Sequence, residues 1–191
     1  MTPLPDSHLH AFYTEQLFDR ILPFWMRHGV DRTHGGFYTC FTNRGDRRLF
    51  PHKFTWSQGR FVWMLARLVR NFAGRRPQAE VQRFREAAVA GARFLADHAR
   101  LPNGACAFIL TEQGAPTLLA PNGAPRQAGP GERYDTSIYA DCFVVYGLAE
   151  CALAVRDRAF YEFAVSLYDS VVEIGSAHVC TPVPDCYLVC R

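Results

Sequence analysis

Thr55-Trp56-Ser57-Gln58-Gly59-Arg60-Phe61-Val62-Trp63-Met64-Leu65-Ala66-Arg67-Leu68-Val69-Arg70-Asn71-Phe72 reads as a single helix. Phe61, Met64, Leu65, Leu68 and Phe72 recur at helical spacing and make one stripe. Val62, Trp63, Ala66 and Val69 fill much of the remaining circumference, and a helix that apolar all round is buried. Gly74 stands just past its end, and Arg75-Arg76-Pro77 makes the break.

A helix over 77–98 follows. Pro77 suits its first turn. Val81, Phe84, Ala88, Ala92 and Leu95 mark an inner face, and Arg83, Arg85, Glu86 and Arg93 an outer one. On the other side of the opening stretch, residues 34–50 predict a short hairpin, with Gly35-Gly36 before an aromatic, β-prone run and a turn at Asn43-Arg44-Gly45-Asp46. Upstream, Leu9, Phe12, Tyr13, Leu17, Ile21 and Trp25 predict a helix over 7–28. Downstream, 105–110 and 116–120 read as two strand pieces around a turn at Glu112-Gln113-Gly114-Ala115. The loop that follows, reaching 133, has a length that often borders a binding site. A second helix apolar nearly all round is predicted over 134–155, with Asp135 as its cap, and an amphipathic one from residue 158.

Buried and half-exposed helices therefore alternate. That order suits two concentric helical layers with strand hairpins on one rim, and not a four-helix bundle of uniformly amphipathic helices. Residues 1–175 are expected to form this domain. Residues 176–191 break the pattern and are expected to be an irregular, non-native tail, since the string around His178 resembles translated sequencing-adapter DNA. His178, Cys180, Cys186 and Cys190 match no common zinc spacing.

Composition narrows the function classes. Of 191 residues, 49% are hydrophobic and 14% aromatic, enough for a core. The net charge of +3 is spread among acidic residues, so no nucleic-acid stripe is present. No apolar run is read as a membrane span and no signal peptide is recognised, which makes the cytoplasm the expected location. Cys40, Cys106, Cys142 and Cys151 lie among apolar residues and read as small core residues. No helical metal motif, P-loop, dinucleotide fingerprint or nucleophile elbow occurs, so neither metal nor cofactor is expected.

Arg60 is the first chemical candidate. A guanidinium in so apolar a helix calls for an anionic or polar partner, such as sugar ring or enediolate oxygens, unless its head reaches solvent at the helix end. Trp56, Trp63, Tyr134 and Tyr139 offer rings on which a sugar could stack, although core packing explains most aromatics at this spacing. Gln58 and Asp141 are polar positions within apolar helices.

Gly35-Gly36-Phe37, then Trp56-Ser57-Gln58-Gly59-Arg60-Phe61-Val62-Trp63, resembles the N-acylglucosamine 2-epimerase family, whose relatives include cellobiose 2-epimerase and mannose isomerase. Ser137 to Phe143, with Tyr146 to Glu150, is similar to a second block of that family. The resemblance covers roughly residues 8–172. It implies an all-α fold, the N-terminal portion of an (α/α)6 barrel with short β-hairpins on one rim. It also implies a free sugar as the partner, no nucleic acid or membrane, and a homodimer as the candidate assembly of a full-length form. In such enzymes a histidine pair moves the proton at C2 through an enediol or enolate. The residue matching Arg60 contacts sugar oxygens, and the one matching Tyr139 lines the pocket. Trp56, Gln58 and Asp141 join Tyr139 as the substrate-binding set. The family's catalytic histidines lie beyond this chain, so the fragment alone is expected to be inactive. An (α/α)6 glycoside hydrolase, with Asp135 and Asp141 as its carboxylates, and a sugar-binding relative without catalysis are the alternatives.

Overall fold

Helix α3 (Thr55–Phe72) sits at the centre of the chain's computed structural model, which describes residues 6–178 and the side chains of 8–173. It packs chiefly on α5 (Ile138–Val155) and α4 (Gln78–His98), and α5 packs in turn on α6 (Arg158–His178). The bounds of α3 and α4 match the apolar pattern and its Gly and Pro punctuation. Val62, Leu65, Ala66, Ala88, Leu95, Val144, Leu148 and Leu167 form the core between these helices. Burying a side chain such as Leu or Val contributes about 1.5–3 kcal/mol.

The first helical stretch is a continuous rod over 6–29. It joins α1 (Asp6–Glu15) and α2 (Leu22–Phe24) through two wider π-helical segments, Gln16–Ile21 and Trp25–Gly29. Pro23 has no N–H to donate, and its ring would press on the carbonyl four residues back, which accounts for the widening before it. Phe18 in this rod meets Phe72 edge-on at 4.8 Å, and Trp25 meets Phe61 at 5.1 Å.

Short antiparallel pairs join the helices. Strands β1 (Cys40–Phe41) and β2 (Arg48–Phe50) form the hairpin expected over 34–50. Strand β3 (Lys53–Phe54), leading into α3, pairs with β4 (Ile109–Leu110), and β5 (Leu118–Leu119) pairs with β6 (Pro125–Arg126). The hairpin expected between 105–110 and 116–120 is reduced to one bridge, Leu110 to Pro116, because β4 spends its pairing on β3.

Further expectations need correction. Helix α5 begins at Ile138 rather than residue 134: the Asp135 carbonyl accepts the Phe108 N–H at 2.7 Å and Thr136 bridges Ala107, so this stretch is extended and Asp135 does not cap. Helix α5 is also not buried all round. Ile138, Tyr139, Tyr146 and Leu153 are exposed, and Cys142 is exposed rather than in the core. Its 18 residues, with mean hydropathy 1.6, are long and apolar enough for a membrane span, yet 44% of the window is buried inside the protein. Finally, α6 continues to His178, three residues into the segment expected to be irregular. Residues 179–191, including Cys180, Cys186 and Cys190, lie outside the described residues.

Candidate functional site

Helices α3 and α5 approach backbone to backbone. A methyl group on Gly59 would run into the Phe143 carbonyl, and one on Gly147 into the Gly59 carbonyl. This close crossing brings together side chains from both helices on one open face. The Trp63 and Tyr146 rings stack at 4.8 Å with 15° between their planes. Nearer the helix starts, the Trp56 ring lies 6.4 Å from that of Phe143. The Arg60 guanidinium sits 5.6 Å from the Trp56 ring centre and 5.4 Å from the Phe143 ring centre. Tyr139, one turn before Phe143, is 70% exposed. Further along, the Glu150 carboxylate accepts from Arg70 at 2.7 Å and from Arg67 at 3.4 Å.

Arg60 is thus exposed and not buried in the helix packing, and among the described residues no carboxylate pairs with it. A guanidinium flanked by two rings keeps its N–H edges open for a ligand oxygen, while the rings offer flat apolar surface. That combination suits a polyhydroxylated ligand with C–H faces and oxygen-rich edges. The six residues of this face include no imidazole.

Gln58 and Asp141 do not join it, contrary to the sequence expectation that they bind substrate. Gln58 is fully buried. Its Oε1 accepts the Phe37 N–H at 2.7 Å and its Nε2 donates to the Phe37 carbonyl at 2.8 Å, so both ends of the amide are used. Asp141 is 2% exposed and accepts the Cys106 N–H at 2.7 Å. Burial pushes its carboxyl pKa up, against the lowering effect of that hydrogen bond.

A buried polar cluster stands before α3, among residues to which the sequence assigned no site role. Lys53 is wholly buried and donates at 2.7 Å to Asp31 Oδ2, to the Gly35 carbonyl and to the Glu112 carbonyl. Tyr38 donates its hydroxyl to Glu112 at 2.5 Å, and Arg48 lies 3.9 Å over the Tyr38 ring. Burial raises the Asp31 pKa, but Lys53 and the His34 and Thr33 N–H groups outweigh it and hold the carboxyl at about 2. Asp31, His34 and Glu112 bring ligand-type atoms within 4.8 Å of one another, but Lys53 sits on Asp31 and Tyr38 on Glu112, so these oxygens already have donors. The available signal was a lysine between Phe50 and Phe54, directly before a buried helix.

A cavity of about 690 Å³ lies between the first rod and α4, lined in part by Phe18, Leu22, Met26, Arg83 and Phe84. It is separate from the aromatic face, and the guanidinium that lies over its Phe18 ring at 4.3 Å, that of Arg76, is already paired with Glu80.

No family model matches the chain. Human N-acylglucosamine 2-epimerase is 34% identical over 165 residues, which are 82% of this chain and 33% of that protein. The cellobiose 2-epimerase of Bacteroides fragilis is 31% identical over 170 residues, 87% of this chain and 37% of that protein. Over most of its own length the chain is similar to N-acylglucosamine 2-epimerases and to a cellobiose 2-epimerase. It spans about a third of the length of the curated relatives it matches. Among solved structures, the cellobiose 2-epimerase from Bacillus thermoamylovorans B4167 superposes with a TM-score of 0.70 at 20% identity, covering 90% of this chain and 38% of that one. The one from Spirochaeta thermophila DSM 6192 gives 0.66 at 24% identity, covering 87% and 36%. These likenesses establish a shared fold over the matched length. These relatives are sugar epimerases.

Proposed function

We propose that this chain carries the charge-stabilising side of an active site that epimerises or isomerises a free sugar at C2. The observation that supports it is Arg60: an exposed guanidinium, unpaired by any described carboxylate, held between Trp56 and Phe143 on an aromatic face. In this reading a base removes the C2 proton of the open-chain aldose, and the electron pair moves toward O1 to give an enediolate. Returning the proton to the opposite face of C2 gives the epimer, and returning it to C1 gives the ketose. Arg60 donates to the oxygen where negative charge gathers, and Trp56 and Tyr139 hold the sugar's apolar faces. The proton-moving groups come from outside the described residues in this reading, as the greater length of the relatives allows. The helices described here are part of an (α/α)6 barrel in this reading. The free thiols of Cys40, Cys106, Cys142 and Cys151 fit a reducing, cytoplasmic compartment. A glycoside hydrolase is disfavoured, because Asp141 is buried on the Cys106 N–H rather than facing a bond to be cut.

The test is solvent deuterium incorporation. In deuterium oxide the complete gene product is expected to exchange the C2 proton of at least one of mannose, N-acetylmannosamine, N-acetylglucosamine or cellobiose, followed by proton NMR. The exchange should slow by about 10²–10³ in Arg60→Ala, the usual cost of one oxyanion donor. No exchange with any of these sugars would overturn the reading.

A further inference from the structure

Helices α3 and α5 carry the same arrangement of residues at their starts. The second residue of each is aromatic, Trp56 and Tyr139. The fourth is a buried polar side chain, Gln58 and Asp141. The sixth, Arg60 and Phe143, and the ninth, Trp63 and Tyr146, lie on the open face. Each buried polar residue bonds the backbone of a loop far away in sequence. Gln58 grips Phe37, which follows Gly35 and Gly36 with φ of 80° and 74°. Asp141 grips Cys106, two residues after Gly104 with φ of 89°.

Helix geometry turns these two grips into orientation. Each residue advances about 100° around the axis, so positions two before and two after a given residue fall about 40° apart, on the side opposite to it. Tying Gln58 to the Phe37 loop therefore aims Trp56 and Arg60 the other way, and tying Asp141 to Cys106 does the same for Tyr139 and Phe143. The Gln58 fit has no slack: a methyl group on Gly36 would stand 2.8 Å from Gln58 Oε1. The glycine contact between Gly59 and Gly147 fixes how close the helices lie but leaves each free to roll about its axis. A roll of about 20° would carry a side-chain tip 5–6 Å from the axis through roughly 2 Å, enough to break a hydrogen bond to a ligand.

We propose that Gln58 and Asp141 are positioning residues. Through their grips on Phe37 and Cys106 they set the roll of α3 and α5, so that Arg60 and the aromatic rings converge on one face. They act through the helices and do not touch the ligand. The ligand arm of the test below rests on the sugar reading, and the orientation arm does not.

The protein is labelled with 5-fluorotryptophan, and the three fluorine resonances are assigned by replacing Trp25, Trp56 and Trp63 singly with Phe. Gln58→Met keeps the length of the side chain and removes both hydrogen bonds. Asp141→Leu removes the other grip. Both are expected to shift and broaden the Trp56 resonance, leave that of Trp25 in place, and weaken mannose or N-acetylglucosamine binding at least tenfold. Asp141→Asn, which still accepts from Cys106 N–H, should restore the wild-type spectrum and affinity. Gln58→Glu carries the same test if Gln58→Met does not fold, since its carboxylate faces the Phe37 carbonyl without a donor. An unmoved Trp56 resonance in folded Gln58→Met and Asp141→Leu overturns the proposal. So does an Asp141→Asn spectrum that matches Asp141→Leu. If the wild-type protein binds no sugar, the sugar reading fails, and the fluorine spectra still decide the positioning role.

Discussion

Lys53 and Arg60 lie seven residues apart and hold their positive charge under opposite conditions. Lys53 is completely buried, and its ammonium group gives each of its three protons to an oxygen at 2.7 Å. Arg60 is exposed, leans on two rings and pairs with no described carboxylate. Lys53 shows what a structural cation looks like in this fold: it bridges the loop after the first rod, the strand before α3 and the turn after β4. Arg60, under the function proposed above, is a cation kept for a ligand. If Lys53 serves stability and Arg60 serves binding, each should respond to substitution in its own way.

The largest effect is expected from Lys53→Met. It leaves the Asp31 carboxylate buried without its cation, and breaking a buried pair from one side costs about 3–5 kcal/mol. For a chain of this size that lowers the thermal midpoint by roughly 6–20 °C. Adding Asp31→Asn should recover part of the loss, because the stranded charge goes with it. A Lys53→Met protein that melts like wild type would break the contrast at its structural end.

Acid offers a smaller and graded version of the same experiment. Asp31 titrates at about 2 in the folded chain, below the ordinary value of 3.8, so the folded state favours its ionised form. Its contribution is fully present above pH 4 and is lost as pH falls through 2. Urea midpoints measured from pH 5 to pH 2 should therefore drop, and drop less in Asp31→Asn. Glu132 also titrates at about 2, owing to Arg126 and the Gly129 N–H, but it is exposed on the loop. Salt at 0.5 M should screen the Glu132 pair and leave the Asp31 part of the slope standing.

The two cations also differ in how far the sequence betrays them. Arg60 is conspicuous because its neighbours are apolar at helical spacing, a local pattern, and the same kind of pattern located α3, α4 and Gly74. The partners of Lys53 lie 18, 22 and 59 residues away, and those of Gln58 and Asp141 lie 21 and 35 residues away. Nothing local distinguishes a polar side chain that grips a distant loop from one that faces a ligand, which is why Gln58 and Asp141 were read as binding residues. The start of α5 was misplaced for the same reason. Asp135 and Thr136 have helix-compatible neighbours in sequence, yet their backbone pairs with Phe108 and Ala107. Periodicity also overstated the burial of α5, because it reports that a face is apolar and not whether another element lies against it. The ring face itself was half legible: Trp56 and Tyr139 stood out as aromatics, but their convergence depends on the Gly59–Gly147 approach.

The smallest change in stability belongs to the residue expected to matter most for binding. Arg60→Met removes a charge that no described carboxylate balances, from a side chain already in solvent, so the thermal midpoint should move by no more than about 0.5 kcal/mol allows, roughly 1–2 °C. Sugar binding or turnover should nevertheless collapse. Arg60→Lys separates charge from shape: it keeps the cation but replaces the planar fork with a point charge that stacks less well between Trp56 and Phe143. If Lys restores binding, the site needs only positive charge. If it does not, the geometry of the fork between the two rings is what the site requires. An Arg60→Met protein that lost stability like Lys53→Met would place both cations in the scaffold and remove the reason for treating this face as a binding site.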